Sequence, residues 1–256
     1  MGLFGRKPKQ VPEPNAERQV RLRRGAGDLE VAGEKYHEKA LKHVWKLAED
    51  RDHIPAALDP EPSNPKDPNA VRVDLLVAGL AFHAGYLPAG DATPYAHALL
   101  PLYEQGLVGV GEAKLWKGNS GFQVYVKVST DPLRLVPPAI EDPDGVFVDG
   151  LFDLTVVGEE NHQDYLASVA RTTRKDLLFS FFESTVPGGK DKGKATYAVT
   201  LHGQEIGLLT RRMAQKHHDV LQPLLDAGKR PYLLGRLEED HRGWQAILEA
   251  PHSSTS

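Results

Sequence analysis

The chain of 256 residues contains no cysteine. This absence excludes disulfide bonds, zinc sites built from thiolates, and a cysteine nucleophile. A chain without cysteine also fits a reducing compartment. Both the stability and the chemistry of the protein must therefore arise without disulfides or thiolates.

Long apolar segments are also missing. No apolar run approaches the roughly eighteen residues needed to cross a bilayer, although 40% of the residues are hydrophobic. The first nine residues, MGLFGRKPK, are too polar for the core of a secretory signal, and Arg6 stands where a myristoylation signal carries Ser or Thr. We therefore expect a cytoplasmic protein that has no membrane partner.

Catalytic motifs are absent once their context is considered. Residues 188–195, GGKDKGKA, have the spacing of a phosphate loop, but Ala195 replaces the Ser or Thr that holds magnesium, and a strand rather than a helix is expected to follow. The eleven histidines form no HExxH motif, and His217 and His218 point to different faces of their predicted helix. We expect a binding module rather than an enzyme, with no metal and no cofactor.

The net charge of −4 is unevenly distributed along the chain. Residues 1–29 carry seven Lys and Arg against three Asp and Glu, whereas residues 30–150 carry eleven against eighteen. With its prolines, segment 1–27 is predicted to be a basic mobile arm, either simply solvated or attracting phosphate groups through its arginines. Residues 252–256 are predicted to be a short tail.

An internal repeat organises the rest of the chain. At an offset of 125, VAGEKYHEKAL at 31–41 aligns with VVGEENHQDYL at 156–166, and Ala70 aligns with Ala195; at an offset of 122, Gly85 aligns with Gly207. The whole length difference is therefore expected between residues 70 and 85. We predict a domain at 28–130 and a degenerate copy of it at 152–251, joined by a proline-rich, acidic linker at 131–151.

Each repeat is predicted to consist mostly of strands. Alternating apolar residues predict β-hairpins that turn at Ala78-Gly79 and at His202-Gly203. Apolar residues at helical spacing predict one helix near residues 37–50 and a second near 91–103, with 211–225 as the counterpart of the second. About six strands and two helices per repeat indicate a mainly β fold with some α: two tandem small OB-like β-barrels.

The loop PSNPKDPNAVRV at residues 62–73 is unusually stiff. Pro65 and Pro68 restrict their own φ angles and push Asn64 and Asp67 toward extended conformations, so these polar side chains are held with little entropy left to lose. The same side chains are also suited to accept hydrogen bonds from nearby backbone amides in Asx-turns. Both interpretations stay open, since one carboxylate oxygen of Asp67 can serve the turn while the other faces a ligand.

Four segments together resemble the HIRAN domain family. They are VAGEKY at 31–36, NPKDPNAVRV at 64–73, AGYLP at 84–88, and a helix that ends with LLPLYEQG at 99–106. The resemblance covers residues 28–129, and the loop followed by a strand is its most specific part. It implies an OB-like barrel that binds single-stranded DNA at a free 3′ end, in DNA repair or replication-fork processing beside a separate helicase or repair protein.

The resemblance also implies a set of DNA-binding residues. Tyr36 is expected to stack on a terminal base, with Lys35 as the neighbouring cation. Asp67 is expected to accept a hydrogen bond from the 3′ hydroxyl, and Asn64 is expected near the terminal nucleotide.

Two positions depart from the family pattern. Lys66 stands where an aromatic residue is expected, which removes one stacking surface and adds a partner for phosphate. Tyr86 stands where the family carries His, and it keeps a planar polar group. Because stacking contributes about 1 to 3 kcal/mol per base, the loss of one surface is expected to weaken binding.

The second repeat lacks these candidate contacts. The offset of 125 places Glu160 opposite Lys35 and Asn161 opposite Tyr36. The loop positions opposite Asn64, Lys66 and Asp67 are, in that order, Gly189, Asp191 and Lys192. We therefore predict that DNA ends bind to the first repeat. The rival hypothesis is a tandem-barrel module for protein–protein contact without DNA binding, which the acidic first repeat favours.

Overall fold

The computed structural model describes residues 11–25 and 27–251. The chain divides into two compact units, which are described separately: the first ends at Pro138 and the second begins at Ala139. Both units are mainly β with some helices. Within the described residues, no helix combines the length and the apolar character needed to cross a membrane.

The first unit consists of an eight-stranded sheet and two α-helices among its described residues. Its strands are β1 (Val11–Pro12), β2 (Gln19–Arg21), β3 (Leu29–Glu30), β4 (Ile54–Pro60), β5 (Val71–Val77), β6 (Leu80–Tyr86), β7 (Val108–Gly118) and β8 (Gly121–Lys127). Its helices are α1 (Glu38–Leu47) and α2 (Ala89–Glu104).

The strands of the first unit follow the order β1-β6-β5-β4-β7-β8-β3, and β2 pairs with β7 in parallel. The other pairings are antiparallel. Just after β3, Ala32 forms an isolated antiparallel bridge with Tyr86 in β6. This bridge joins the segment that follows β3 to a strand near the other end of the sheet order.

Apolar side chains from the sheet and both helices form the core of the first unit. Leu41 and Val44 lie on the buried face of α1, and Leu99 on that of α2, where they pack with strand residues such as Leu58 and Leu75. The β5–β6 hairpin turns at Ala78 and Gly79, both with positive φ as in the tight turns that match strand twist. The predicted hairpin is therefore confirmed.

The second unit consists of a seven-stranded sheet and three α-helices among its described residues. The strands are β9 (Gly145–Phe147), β10 (Phe152–Thr155), β11 (Leu177–Thr185), β12 (Ala195–Leu201), β13 (Gln204–Leu208), β14 (Arg230–Asp240) and β15 (Gly243–Ala250). The helices are α3 (Gln163–Ala170), α4 (Arg211–Lys216) and α5 (His218–Asp226).

The second sheet repeats the order of the first. Its strands follow β10-β15-β14-β11-β12-β13, with β9 parallel to β14. A bridge between Val157 and Leu208 corresponds to the Ala32–Tyr86 bridge. The β12–β13 hairpin turns at His202 and Gly203, again with positive φ, as predicted. The predicted single helix at 211–225 is instead split into α4 and α5 at His217.

Paired strands fix which residues of the two units are equivalent. Val73 and Val199 each precede a β-bulge and pair with a glycine of high positive φ, Gly85 or Gly207. The repeat deduced from the sequence is therefore present in the fold.

The strand register corrects one detail of that repeat. The chain advances 15 residues from Leu58 to its partner Val73, but 18 residues from Phe181 to its partner Val199. The connecting loop of the second unit is thus three residues longer. The prediction that the whole length difference lies between residues 70 and 85 is wrong, and so are the loop equivalences based on a constant offset.

The structure also corrects the predicted arm and linker. Residues 11–25 belong to the first unit, because β1 and β2 pair with β6 and β7 and Leu22 is buried in the core. The rest of the arm, residues 1–10 and 26, and the tail at 252–256 lie outside the described residues. The predicted linker at 131–151 is divided, since Leu135 is buried in the first unit and β9 belongs to the second.

Candidate functional site

Tyr36 presents its side chain to solvent on a short turn. Gly33 has a φ of 95°, a left-handed conformation that favours glycine, and it starts the 3-10 turn Glu34–Tyr36. Tyr36 is 77% exposed, and Lys35 Nζ lies over its ring, 4.9 Å from the centroid. The turn therefore presents an exposed aromatic ring with a cation over one of its faces.

Backbone and side-chain hydrogen bonds hold this turn in place. Ala32 donates to the Tyr86 carbonyl at 2.8 Å and accepts from its amide at 3.0 Å. The carboxylate of Glu34 accepts from the backbone N–H of Val124 at 3.3 Å. Glu159 and the N–H of Ala246 form the equivalent contact in the second unit. The glycine–glutamate pair shared by the repeats is thus part of the scaffold.

The proline-rich loop contains two Asx-turns. The Oδ1 atom of Asn64 accepts from the N–H of Lys66 at 3.0 Å, and Oδ1 of Asp67 accepts from the N–H of Asn69 at 2.9 Å. Lys66 is exposed and Asp67 is half-buried. Among the described residues, Oδ1 is the only carboxylate oxygen of Asp67 with a hydrogen bond. The Asx-turn expected for Asp67 is therefore present, and it occupies one of the two carboxylate oxygens of this residue.

Glu61 connects the loop to the sheet. Its Oε2 atom accepts from Asn64 Nδ2 at 2.9 Å and from the Tyr86 hydroxyl at 3.4 Å. Its Oε1 atom accepts from Arg72 Nη1 at 3.3 Å. Burial raises the pKa of Tyr86, and the neighbouring Glu61 carboxylate raises it further. Two of the predicted residues, Asn64 and Tyr86, are therefore joined through one carboxylate.

Arg72 is surrounded by three carboxylates on the half-buried outer face of β4 and β5. Besides Glu61, it donates to Asp59 at 2.9 Å and to Asp74 at 3.1 Å. Burial raises the pKa of Asp59 despite the opposing effect of Arg72. We call Asp59, Glu61, Arg72 and Asp74 the carboxylate cluster. With one cation among three carboxylates, it carries a net negative charge.

Two histidines extend the cluster toward the exposed tyrosine. His83 Nδ1 lies 3.0 Å from Asp74 Oδ1, and the ring of His83 contacts that of His37 edge-on with centroids 4.0 Å apart. His83 also contacts the ring of Tyr86, at 5.1 Å. Burial, followed by the charge of His83, lowers the pKa of His37. Because His37 directly follows Tyr36 in the sequence, this series of side-chain contacts connects the proline-rich loop with the turn that carries Tyr36.

The predicted residues thus fall into two groups. Asn64 and Tyr86 belong to the contacts just described, and the turn with Lys35 and Tyr36 adjoins them through His37. Lys66 and Asp67 lie in the same loop as Asn64 but make local backbone contacts. Sequence reasoning missed six participants: His37, Asp59, Glu61, Arg72, Asp74 and His83. A detectable signal existed for two of them, because Arg72 and Asp74 stand two apart on one strand face.

The second unit lacks this polar arrangement. Strand pairing makes Ala198 the counterpart of Arg72 and Leu208 the counterpart of Tyr86. The counterparts of Asp59, Asp74 and His83 are, in that order, Phe182, Thr200 and Glu205. Asn161 takes the place of Tyr36 in an equivalent turn after Gly158. The fold therefore forms without these polar side chains, which suggests that the first unit carries them for another reason.

The described residues contain no group of three or more His, Asp and Glu side chains that could hold a metal ion. The polar groups of the first unit suit hydrogen bonding and stacking with a ligand. Comparison of the chain with protein-family models, with curated proteins and with solved structures finds no match.

Proposed function

We propose that the first unit binds the 3′ end of single-stranded DNA without catalysing a reaction. The observation that carries this proposal is Tyr36, a residue 77% exposed on a fixed turn, with the Lys35 ammonium over its ring at 4.9 Å from the centroid. An exposed aromatic face next to a cation accommodates a base and the phosphate that follows it, the combination used by single-strand binding proteins.

The proline-rich loop supplies the second half of the proposed site. The Asx-turns fix Asn64 and Asp67 before any ligand arrives, so little conformational entropy is lost on binding. The second carboxylate oxygen of Asp67 is then the acceptor for the 3′ hydroxyl. Lys66, exposed between them, pairs with a phosphate near the end of the strand.

The carboxylate cluster favours binding of the end of a DNA strand over binding of its middle. Its net negative charge, between the loop and the turn, repels the phosphates of a polynucleotide that continues past this point. A terminal hydroxyl carries no charge and is tolerated. This electrostatic argument supports recognition of a free 3′ end.

The strand order supports an OB-like barrel as the scaffold of each unit. In each sheet an isolated bridge joins the segment after the strand at one end of the order to a strand at the other end or next to it: Val157 to Leu208 in β13, and Ala32 to Tyr86 in β6. Barrels of this kind present loops at one side for oligonucleotides. In this proposal the protein acts in DNA repair or replication-fork processing, with a separate helicase or repair protein as partner.

Replacing Tyr36 tests the stacking role. We expect Tyr36→Ala to weaken binding of a labelled single-stranded oligonucleotide about ten- to a hundredfold in fluorescence anisotropy, because one stacking contact is worth about 1 to 3 kcal/mol. The matched control is Tyr103→Ala, which removes another exposed tyrosine, located on α2. Equal affinities of the two variants would exclude Tyr36 as the stacking residue.

The second candidate function is protein–protein contact without DNA binding. The acidic carboxylate cluster favours it, since three carboxylates around Arg72 suit a basic protein surface. This candidate predicts no binding of oligonucleotides at moderate salt, or equal binding regardless of the chemistry of the end.

A further inference from the structure

The second unit contains a solvent-open cavity of about 620 Å³, in which several polar and charged side chains stand on a largely apolar lining. It is lined by residues from the end of β11, the start of β12, the loop at 186–194 that connects them, and helices α4 and α5. Its volume lies within the range of small-molecule sites. None of its residues belongs to the site proposed in the first unit.

Two cations at one end of the cavity share a single carboxylate. Lys194 Nζ lies 2.7 Å and Arg211 Nη1 lies 3.0 Å from the same oxygen, Oδ1 of Asp191. This pair of contacts ties the loop to the start of α4, and the two cations outnumber the carboxylate that they share. The carboxylate of Glu183, which also lines the cavity, is hydrogen-bonded to Gln222 instead. Because an ammonium has three N–H donors and a guanidinium five, both side chains keep donors for a ligand.

A fixed hydrogen-bonded wall forms another side of the cavity. The amide of Gln222 donates to Glu183 at 2.5 Å and to Asp226 at 2.8 Å, and its carbonyl accepts from the Tyr197 hydroxyl at 2.9 Å. The same hydroxyl lies 2.9 Å from His218 Nδ1. Burial raises the pKa of Tyr197 to about 12, so the hydroxyl keeps its proton near neutral pH. These polar groups are therefore oriented before a ligand binds.

The first unit shows that the fold does not require this polarity. Strand and helix equivalence matches Val71 to Tyr197, because each stands two residues before the paired valine, and α2 begins where α4 begins. The counterparts of Tyr197, Arg211, His218 and Gln222 are, in that order, Val71, Ala89, Ala96 and Leu100. All four counterparts are apolar. The shared fold therefore forms in the first unit without these four polar side chains.

We propose that this cavity binds a small phosphate monoester of nucleotide size. Lys194 and Arg211 hold the phosphate, since a guanidinium fork matches phosphate oxygens and an ammonium adds a point charge. The polar body of the ligand lies against Tyr197, His218 and Gln222. This mode differs from a phosphate loop, because side-chain cations rather than a backbone cradle at the start of a helix hold the anion.

Calorimetric titration of the full chain with adenosine 5′-monophosphate tests the proposal. The titration is performed in the Tyr36→Ala background as well, so that binding in the first unit is distinguished from binding in the second. Adenosine and a single-stranded oligonucleotide without terminal phosphate are titrated in parallel. We expect that, of the three ligands, only the monophosphate binds in the cavity, and that Tyr36→Ala leaves its affinity unchanged.

Matched substitutions identify the cations. Arg211→Gln and Lys194→Gln are each expected to weaken monophosphate binding about tenfold, the loss of one charge-assisted contact. Arg212→Gln and Lys190→Gln, which change neighbouring residues outside the cavity lining, should have no effect. Circular dichroism verifies the fold of each variant, and if Arg211→Gln unfolds, Lys194→Gln decides. Any of four results would overturn the proposal. They are no binding of the monophosphate at millimolar concentration, equal binding of adenosine, cavity-dependent binding of the oligonucleotide alone, or unchanged monophosphate binding in both cavity variants.

Discussion

Ala32 and Tyr86 exchange two backbone hydrogen bonds, of 2.8 and 3.0 Å. This pairing fixes the turn that presents Tyr36 against the strand that ends in Tyr86. The same strand contributes His83, whose ring contacts His37 next to Tyr36. The exposed tyrosine is therefore mounted on a scaffold held by both backbone and side-chain contacts, so its substitution should affect binding rather than folding.

The carboxylate cluster should make Arg72 important for the stability of the first unit. We expect Arg72→Met to lower the free energy of unfolding by about 1 to 3 kcal/mol, because Asp59, Glu61 and Asp74 would face one another without a cation in a half-buried environment. Urea denaturation measures the loss. Arg242→Met, which removes an exposed arginine, serves as the control, and an equal effect of both substitutions would contradict a special role for Arg72.

Glu159 should make the second unit less stable as the pH rises. Its side chain is buried, and this burial raises its pKa from 4.5 to about 7. Because the folded-state pKa lies above the unfolded one, the stabilisation is complete below about pH 4.5 and is lost as the pH rises through 7. The expected loss is on the order of 3 kcal/mol.

Glu159→Gln tests this pH dependence with little structural change, since the amide oxygen can still accept from the N–H of Ala246. We expect the variant to lose the dependence between pH 5 and 8, as measured by hydrogen exchange of peptides from β15. Glu160→Gln, an exposed neighbour, is the control. Identical pH profiles for the wild type and Glu159→Gln would show that this carboxyl does not titrate as described.

His217 should have the opposite effect and make the second unit less stable as the pH falls. It is buried between α4 and α5, its Nδ1 has no hydrogen-bond partner among the described residues, and burial lowers its pKa. The unfolded chain therefore takes up a proton first, and stability falls as the pH drops below about 6.5. We expect His217→Leu to raise the unfolding temperature at pH 5 more than at pH 8. His241→Leu, an exposed change, should not do so, and a uniform decrease for His217→Leu would contradict this account.

Local turn chemistry explains which parts of the fold the sequence predicted. The hairpins at Ala78-Gly79 and His202-Gly203 depend on backbone conformations that few residues favour, so they leave a clear pattern in the sequence. The two Asx-turns of the proline-rich loop were considered for the same reason.

Tertiary context explains what the sequence did not predict. Strand β4 pairs on both sides yet contains Pro55 and Pro60, residues that normally argue against a strand at the centre of a sheet. Strand β2 pairs with residues 108–110 at the start of β7, which β8 leaves unpaired, and its own composition does not predict this pairing.

The carboxylate cluster was missed because Arg72 and Asp74 look like the solvated face of a strand. Their importance depends on Asp59, Glu61 and His83, which reach the same surface from other strands and from the loop. Strand register determines whether these side chains lie on the same surface, and a single sequence leaves the register open. The same limitation explains the wrong loop equivalences between the repeats.

The most direct test of the central claim compares oligonucleotides that end in a 3′ hydroxyl with otherwise identical ones that end in a 3′ phosphate. We expect the wild type to bind the hydroxyl end at least about tenfold more tightly, because the Asp67 carboxylate repels a terminal phosphate. Asp67→Asn removes the charge but can keep the Asx-turn to Asn69, so it should bring the two affinities close together. Equal affinity of the wild type for both ends would contradict recognition of a free 3′ end by the first unit.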